Sequence, residues 1–161
     1  MRKNDTITVI VPTHYRDNLL KKTLKSISEQ TLKPKEVIVV DDTCRQDVFK
    51  IVGSFNKENI RFTYVKKKNS GSSPESINLA FQQVKTKYLA IIDDDDRWHK
   101  DYLLLCYKKA EETGADFIIS SYYEVDEYGN RYEGKQVPEK FILNDWLLYN
   151  PGLLCSNMFF K

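Results

Sequence analysis

Four short runs rich in β-branched residues recur along the chain: Thr6-Ile7-Thr8-Val9-Ile10-Val11, Glu36-Val37-Ile38-Val39-Val40, Ile60 to Val65, and Tyr88-Leu89-Ala90-Ile91-Ile92. Each has strand length, and three are almost wholly apolar, as expected of strands buried on both faces. Between them lie segments of helical period. From Asp17 to Gln30, Leu20, Leu24 and Ile27 repeat at helical spacing with Lys21, Lys22 and Lys25 between them. A second helix is expected from Gln46 to Phe55, and a third carries Ile77, Ala80, Phe81 and Val84. Strands joined by connections of helix length are parallel, which predicts an α/β fold rather than a bundle or a sandwich.

The second half is less regular. Lys100 to Thr113 reads as a helix capped by Gly114, and Asp116 to Val125 as one strand. The turn Asp126-Glu127-Tyr128-Gly129-Asn130 then returns Arg131 to Gln136 as a hairpin partner. Pro138 opens a predicted helix to Tyr149, and Leu153 to Phe160 forms a last strand. Strand one is expected to stop at Pro12, which cannot donate to a ladder.

With 161 residues, 41% hydrophobic and 30% charged, the chain suits one globular domain and is too polar for a membrane protein. Its 25 basic and 23 acidic residues leave +2, so no overall field argues for nucleic acid as a partner. The three cysteines, Cys44, Cys106 and Cys155, have no Cys-x-x-Cys spacing; this speaks against a disulfide framework or structural zinc and fits a reducing cytoplasm. The charged N-terminus leads into an apolar run too short for a signal-peptide core or a membrane span. Association with a membrane surface is left open.

In open parallel sheets, ligands sit beyond the carboxyl ends of the strands. Here those ends carry Thr13-His14-Tyr15, Asp41-Asp42, Lys66 to Asn69, and Asp93-Asp94-Asp95-Asp96. Four adjacent carboxylates repel one another unless a cation neutralises them, and oxygen donors without His or Cys suit Mg²⁺ or Mn²⁺. Helix capping accounts for one aspartate and not for four. If the strand stays extended, Asp93 and Asp95 share one face and Asp94 and Asp96 the other. Such a metal takes one or two protein ligands and completes its shell with water and phosphate oxygens.

The neighbouring positions have plainer readings beside the functional ones. A carboxylate at Asp41 or Asp42 can accept from a nucleobase N–H or a ribose hydroxyl, or can simply organise a turn. Tyr15 can stack on a base or pack under its loop. Lys66 to Lys68 reads as a solvated loop, His14 and His99 show no ligand spacing, and Trp98 and Trp146 read as core anchors.

Taken together, Ile7 to Arg16, Val37 to Asp42, Asn69-Ser70-Gly71 with Asn78, and Asp93 to Trp98 resemble the successive signatures of the family 2 glycosyltransferases. The resemblance implies a GT-A fold: a Rossmann-like, mostly parallel sheet flanked by helices, with an incomplete acceptor-side region. It implies a nucleotide-sugar donor, most often UDP-linked, and inverting transfer to the hydroxyl of a saccharide or lipid-linked saccharide, at the inner face of the membrane and in bacterial polysaccharide synthesis. Residues 1–98 would form the donor-binding part and 99–161 a partial acceptor side of the same domain. By position, Pro12, Thr13, Tyr15, Arg16, Asp41, Asp42, Gly71, Asn78, Asp93, Asp94 and Asp95 would bind the donor. Thr13 and Tyr15 would line the nucleobase pocket, with Asp42 accepting from the base. Asp93 and Asp95 correspond to the Asp-x-Asp pair, and Asp95 and Asp96 would hold Mn²⁺ or Mg²⁺.

Two departures stand out. Ser76-Ile77-Asn78 occupies the place of a frequent Ala-Arg-Asn, so an arginine that approaches the nucleotide is missing, with Lys66 to Lys68 as substitutes. The general base of the family follows the strand matched by Leu153 to Phe160, so it is expected beyond Lys161. This chain is then expected to be a donor-binding portion, slow or inactive in transfer. The alternative is a non-catalytic nucleotide-binding or assembly module of glycosyltransferase ancestry. A phosphoryl-relay receiver domain fits poorly, since strand three ends in lysines rather than a phosphorylatable aspartate.

Overall fold

The computed structural model describes residues 6–56, 59–68, 72–138 and 152–161. A six-stranded sheet runs in the order β3-β2-β1-β4-β8-β5. Its first four strands, β1 (Ile7–Thr13), β2 (Glu36–Asp41), β3 (Arg61–Lys66) and β4 (Tyr88–Ile91), are mutually parallel. Strand β8 (Met158–Phe160) lies antiparallel between β4 and β5 (Phe117–Ile119), so β5 runs in the same direction as β4. The expected mostly parallel α/β sheet is present.

Alternation along β1 sorts the helices. Ile7, Val9 and Val11 face one layer, where α1 (Asp17–Ser28), α2 (Gln46–Ser54) and α4 (Tyr102–Thr113) bury Leu20, Leu24, Ile27, Val48, Val52 and Leu103. Ile10 faces the other with Ile38, Val40, Leu89 and Ile91, covered by Ala80 of α3 (Ser73–Phe81). Trp98 is a core anchor in the first layer, stacked on Tyr102 at 4.4 Å. Helix α4 ends on Gly114, whose left-handed φ of 71° lets its N–H reach the Ala110 carbonyl at 2.9 Å. No helix among the described residues is long and apolar enough to cross a membrane.

Three expectations are corrected. Strand β1 passes through Pro12 and ends at Thr13. Ile10 turns its carbonyl to Ile92, so Pro12, two residues on, faces the same side, where pairing with β4 has ended at Ile10–Ile91; no ladder donor is missed there. The expected strand from Asp116 to Val125 is two strands: β5 stays in the sheet, while β6 (Tyr123–Val125) leaves it and pairs with β7 (Arg131–Glu133) in a separate ribbon. The last strand is shorter than expected, because Cys155–Asn157 forms a 3-10 turn held by Asn157, which bonds Leu154 N–H, Gly152 O and Ser120 O. The helix expected from Pro138, and Trp146 within it, lie outside the described residues.

Candidate functional site

Three loops meet at the carboxyl edge of β1, β2 and β4. The acidic run is a tight turn rather than an extended strand end: Asp96 N–H bonds the Asp93 carbonyl at 3.2 Å, so the alternation expected for residues 93–96 does not apply. Asp94 points inward and is 4% exposed. Its carboxylate accepts from Thr13 Oγ1 at 2.8 Å, His14 N–H at 3.1 Å and Arg16 Nη1 at 3.1 Å. Asp94 therefore ties the β1 loop to the acidic turn. Asp95 points outward and meets the same Arg16 Nη1 at 2.7 Å.

Helix α1 supports that turn from beneath. Thr23 Oγ1 donates toward the carbonyls of Asp94 and Asp96, at 2.9 and 2.8 Å. Ser26 Oγ accepts from Trp98 N–H, and Gln30, fully buried, bonds the His99 carbonyl and Leu103 N–H. From the other side, Ser156 Oγ accepts from Asp93 N–H at 2.9 Å, and its carbonyl takes the Trp98 indole N–H. Thr23, Gln30 and Ser156 escaped the sequence reading. For Thr23 a signal existed: it is polar yet falls on the apolar stripe of Leu20, Leu24 and Ile27.

The β2 loop is organised by Asp41, which is wholly buried. Its carboxylate accepts from Thr43 N–H at 2.8 Å, Thr43 Oγ1 at 2.5 Å, Arg45 N–H at 3.0 Å and Tyr64 OH at 3.0 Å. Burial and the Asp41 charge push the Tyr64 phenol up to about 12. Asp41 thus shapes the loop and has no surface with which to meet a donor. Asp42, next along, is 8% exposed and turns to the β1 loop. His14 Nδ1 lies 2.7 Å from Asp42 Oδ1 and donates when the proton is on that nitrogen. His14 is the member of the site that motif spacing did not reveal, because a contact across 28 residues leaves no local pattern.

Tyr15 stands exposed at a left-handed φ of 54°, edge-on to His14, with the Arg45 guanidinium 5.0 Å from its ring centroid. Arg45 is held in turn by both oxygens of Asp17 at the start of α1. Thr13, Tyr15, Arg16, Asp42, Asp94 and Asp95 are accordingly brought together. Pro12 is buried in the sheet behind them. Asn78 lines a cleft of about 610 Å³ with Lys66, Lys67, Lys68 and Glu75, where Lys67 Nζ bonds Glu75 at 2.8 Å. Gly71 falls outside the described residues.

Negative charge is crowded in the acidic turn. Partial burial, then repulsion from Asp96, Asp95 and Asp94, pushes the Asp93 carboxyl up to about 6, with Arg16 opposing. Arg16 is raised above its usual value by its bond to Asp94 and by the charge of Asp95. No three His, Cys, Asp or Glu side chains among the described residues gather into a ready metal cage. The donor set, carboxylate oxygens in excess of their one guanidinium, fits Mn²⁺ or Mg²⁺ held by one or two aspartates, with water and phosphate completing the shell.

Sheet order, layering and three loops on one carboxyl edge, two of them acid-bearing, define the α/β class whose ligands bind at that edge. The model of glycosyl transferase family 2 matches residues 8–160, and the chain belongs to that family. It is 35% identical over 127 residues to Glycosyltransferase GlyA of Streptococcus pneumoniae, a match covering 79% of this chain and 18% of that protein. It is 29% identical over 137 residues to TarP of Staphylococcus aureus, a poly(ribitol-phosphate) β-N-acetylglucosaminyltransferase, covering 83% of this chain and 39% of TarP. The crystal structure of S. aureus TarS 1-349 in complex with UDP-GlcNAc superposes with a TM-score of 0.77 at 23% identity, over 96% of this chain and 45% of that one. That likeness establishes the GT-A fold. The chain spans less than half the length of each of these proteins.

Proposed function

We propose that this chain is the donor-binding portion of an inverting glycosyltransferase that uses a UDP-sugar with Mn²⁺ or Mg²⁺ in bacterial glycan synthesis. The observation that carries the reading is the meeting of Asp42 and the 93–96 turn on one edge, bridged by the β1 loop through His14, Thr13 and Arg16. The relatives' names and the UDP-GlcNAc bound to TarS support it.

In this reading Asp42 accepts from the uracil N–H, and the Tyr15 ring, stiffened by Arg45, covers the base. Asp95 and Asp96 hold the cation, which when bound supplies positive charge against the departing diphosphate. Arg16 adds a fixed positive group beside that charge. The anomeric carbon loses its bond to the diphosphate oxygen as the acceptor oxygen attacks from the opposite face, and the acceptor proton passes to a base on the acceptor side. Asp94 and Thr23 hold the turn in place before the donor arrives. The three free thiols are compatible with a cytoplasmic location.

Nucleotide discrimination tests the assignment of Asp42. UDP should bind more tightly than ADP, and Asp42→Ala should remove that preference while leaving far-UV circular dichroism unchanged. Equal binding of UDP and ADP by the unaltered chain would refute it.

A further inference from the structure

The ribbon of β6 and β7 is aromatic and exposed. Four of the chain's ten tyrosines lie within residues 122–132, and Tyr123, Tyr128 and Tyr132 are 65%, 83% and 55% exposed, with Val125 at 49%. A two-stranded ribbon open on both faces is marginal by itself, and clustered exposed apolar side chains mark contact surfaces.

Its build is nevertheless definite. The register pairs Tyr123 with Glu133, Glu124 with Tyr132 and Val125 with Arg131, so one face carries Tyr123, Val125, Arg131 and Glu133. Asp126 closes the turn by accepting from Tyr128 N–H, Asn130 N–H, Asn130 Nδ2 and Tyr132 OH. On the opposite face Tyr122 lies flat across Gly134, where a Cβ would come within 2.3 Å of the ring. Tyr122 and Tyr132 thus have partners within the ribbon, whereas Tyr123, 65% exposed, shares its face with Arg131 and Glu133.

The ribbon is also well placed. Strand β5 runs parallel to β4, so the chain leaves β5 at the carboxyl edge, the edge that carries Asp93 to Asp96. Ser120 at its root exchanges two hydrogen bonds with Asn157, and the adjacent Ser156 holds Asp93 N–H. The ribbon therefore springs from the rim of the acidic turn.

The geometry points to the Tyr123 face as a docking platform for the acceptor, a neutral saccharide. This rests on the donor reading above and extends it to the second substrate. The C–H face of a pyranose packs on an aromatic ring, while Arg131 and Glu133 supply the donor and acceptor groups that hydroxyls require. Charge selects among occupants: residues 123–133 hold four carboxylates against one guanidinium, which disfavours a polyanionic glycan or an anionic membrane surface.

The test is aromatic ¹³C–¹H NMR of the chain, titrated with chitotetraose, cellotetraose and, as a polyanion, tetragalacturonate. At least one neutral tetrasaccharide should shift the Tyr123 ring signals; Tyr123→Ala should weaken that binding by about tenfold or more, and Tyr123→Phe should retain it. UDP titration of the same samples should be unaffected. Absence of a Tyr123 shift with both neutral probes, tighter binding of tetragalacturonate, or a dimer that Tyr123→Ala converts to monomer in sedimentation would each overturn the platform. UDP binding separates the two levels: its loss in the unaltered chain removes the donor reading, and its persistence without saccharide binding removes only the platform.

Discussion

Arg16 Nη1 lies 2.7 Å from Asp95 Oδ2, so the outermost carboxylate of the acidic turn already has a cation of the protein's own. A metal ion that binds Asp95 must share or displace that contact. Without nucleotide, Arg16→Gln should therefore tighten Mn²⁺ binding several-fold, read by the loss of free-Mn²⁺ paramagnetic resonance signal. Weaker Mn²⁺ binding by the variant would place the ion away from Asp95.

Asp93 is the carboxyl with the most to lose by ionising. Its folded value of about 6 lies above the ordinary 3.8, so between those limits the folded state binds more protons than the unfolded one. Stability must fall as pH rises through that window. Asp93→Asn should raise the melting temperature at pH 7 to 8, and the gain should vanish below about pH 4. A gain that grows toward acid pH would contradict the assigned environment.

Asp94 and Asp95 are neighbours with opposite duties. Asp94→Ala strands Thr13 Oγ1, His14 N–H and part of Arg16, and should cost about 2–4 kcal/mol in urea denaturation. Asp95→Ala should stay within about 1 kcal/mol of the unaltered chain, because its partner is solvated. The same variant should lose the metal dependence of UDP binding.

Asp41 should behave as a keystone and not as a ligand. Asp41→Ala leaves two loop N–H groups and the Tyr64 hydroxyl without their acceptor, a cost of about 3 kcal/mol, whereas Tyr64→Phe removes one bond at about 1 kcal/mol. Tyr64→Phe should leave UDP affinity intact. Substantial loss of UDP binding in Tyr64→Phe would show that the phenol acts on the donor.

Much of this architecture was legible locally. The apolar runs mark β1, β2 and β4, and the rule for parallel sheets puts Asp42 and the acidic run on one edge from sequence alone. What stayed hidden was set by contacts distant in sequence. Asp94 reads as one of four equivalent acids until Thr13 and Arg16, some 80 residues earlier, are seen to bury it. Asp41 and Asp42 look interchangeable until Tyr64 of β3 claims the first. The break between β5 and β6 is marked in the sequence only by Ser120-Ser121, a weak interruption between two strand-forming runs, while pairing partners decide that the chain changes sheets there.

The account stands most directly on the joint use of nucleotide and cation. Isothermal calorimetry of UDP against this chain should show binding that strengthens at least about tenfold on adding Mn²⁺, with the enhancement absent in Asp95→Ala. UDP binding that is undetectable in both conditions, or an Mn²⁺ effect that survives Asp95→Ala in full, would contradict it.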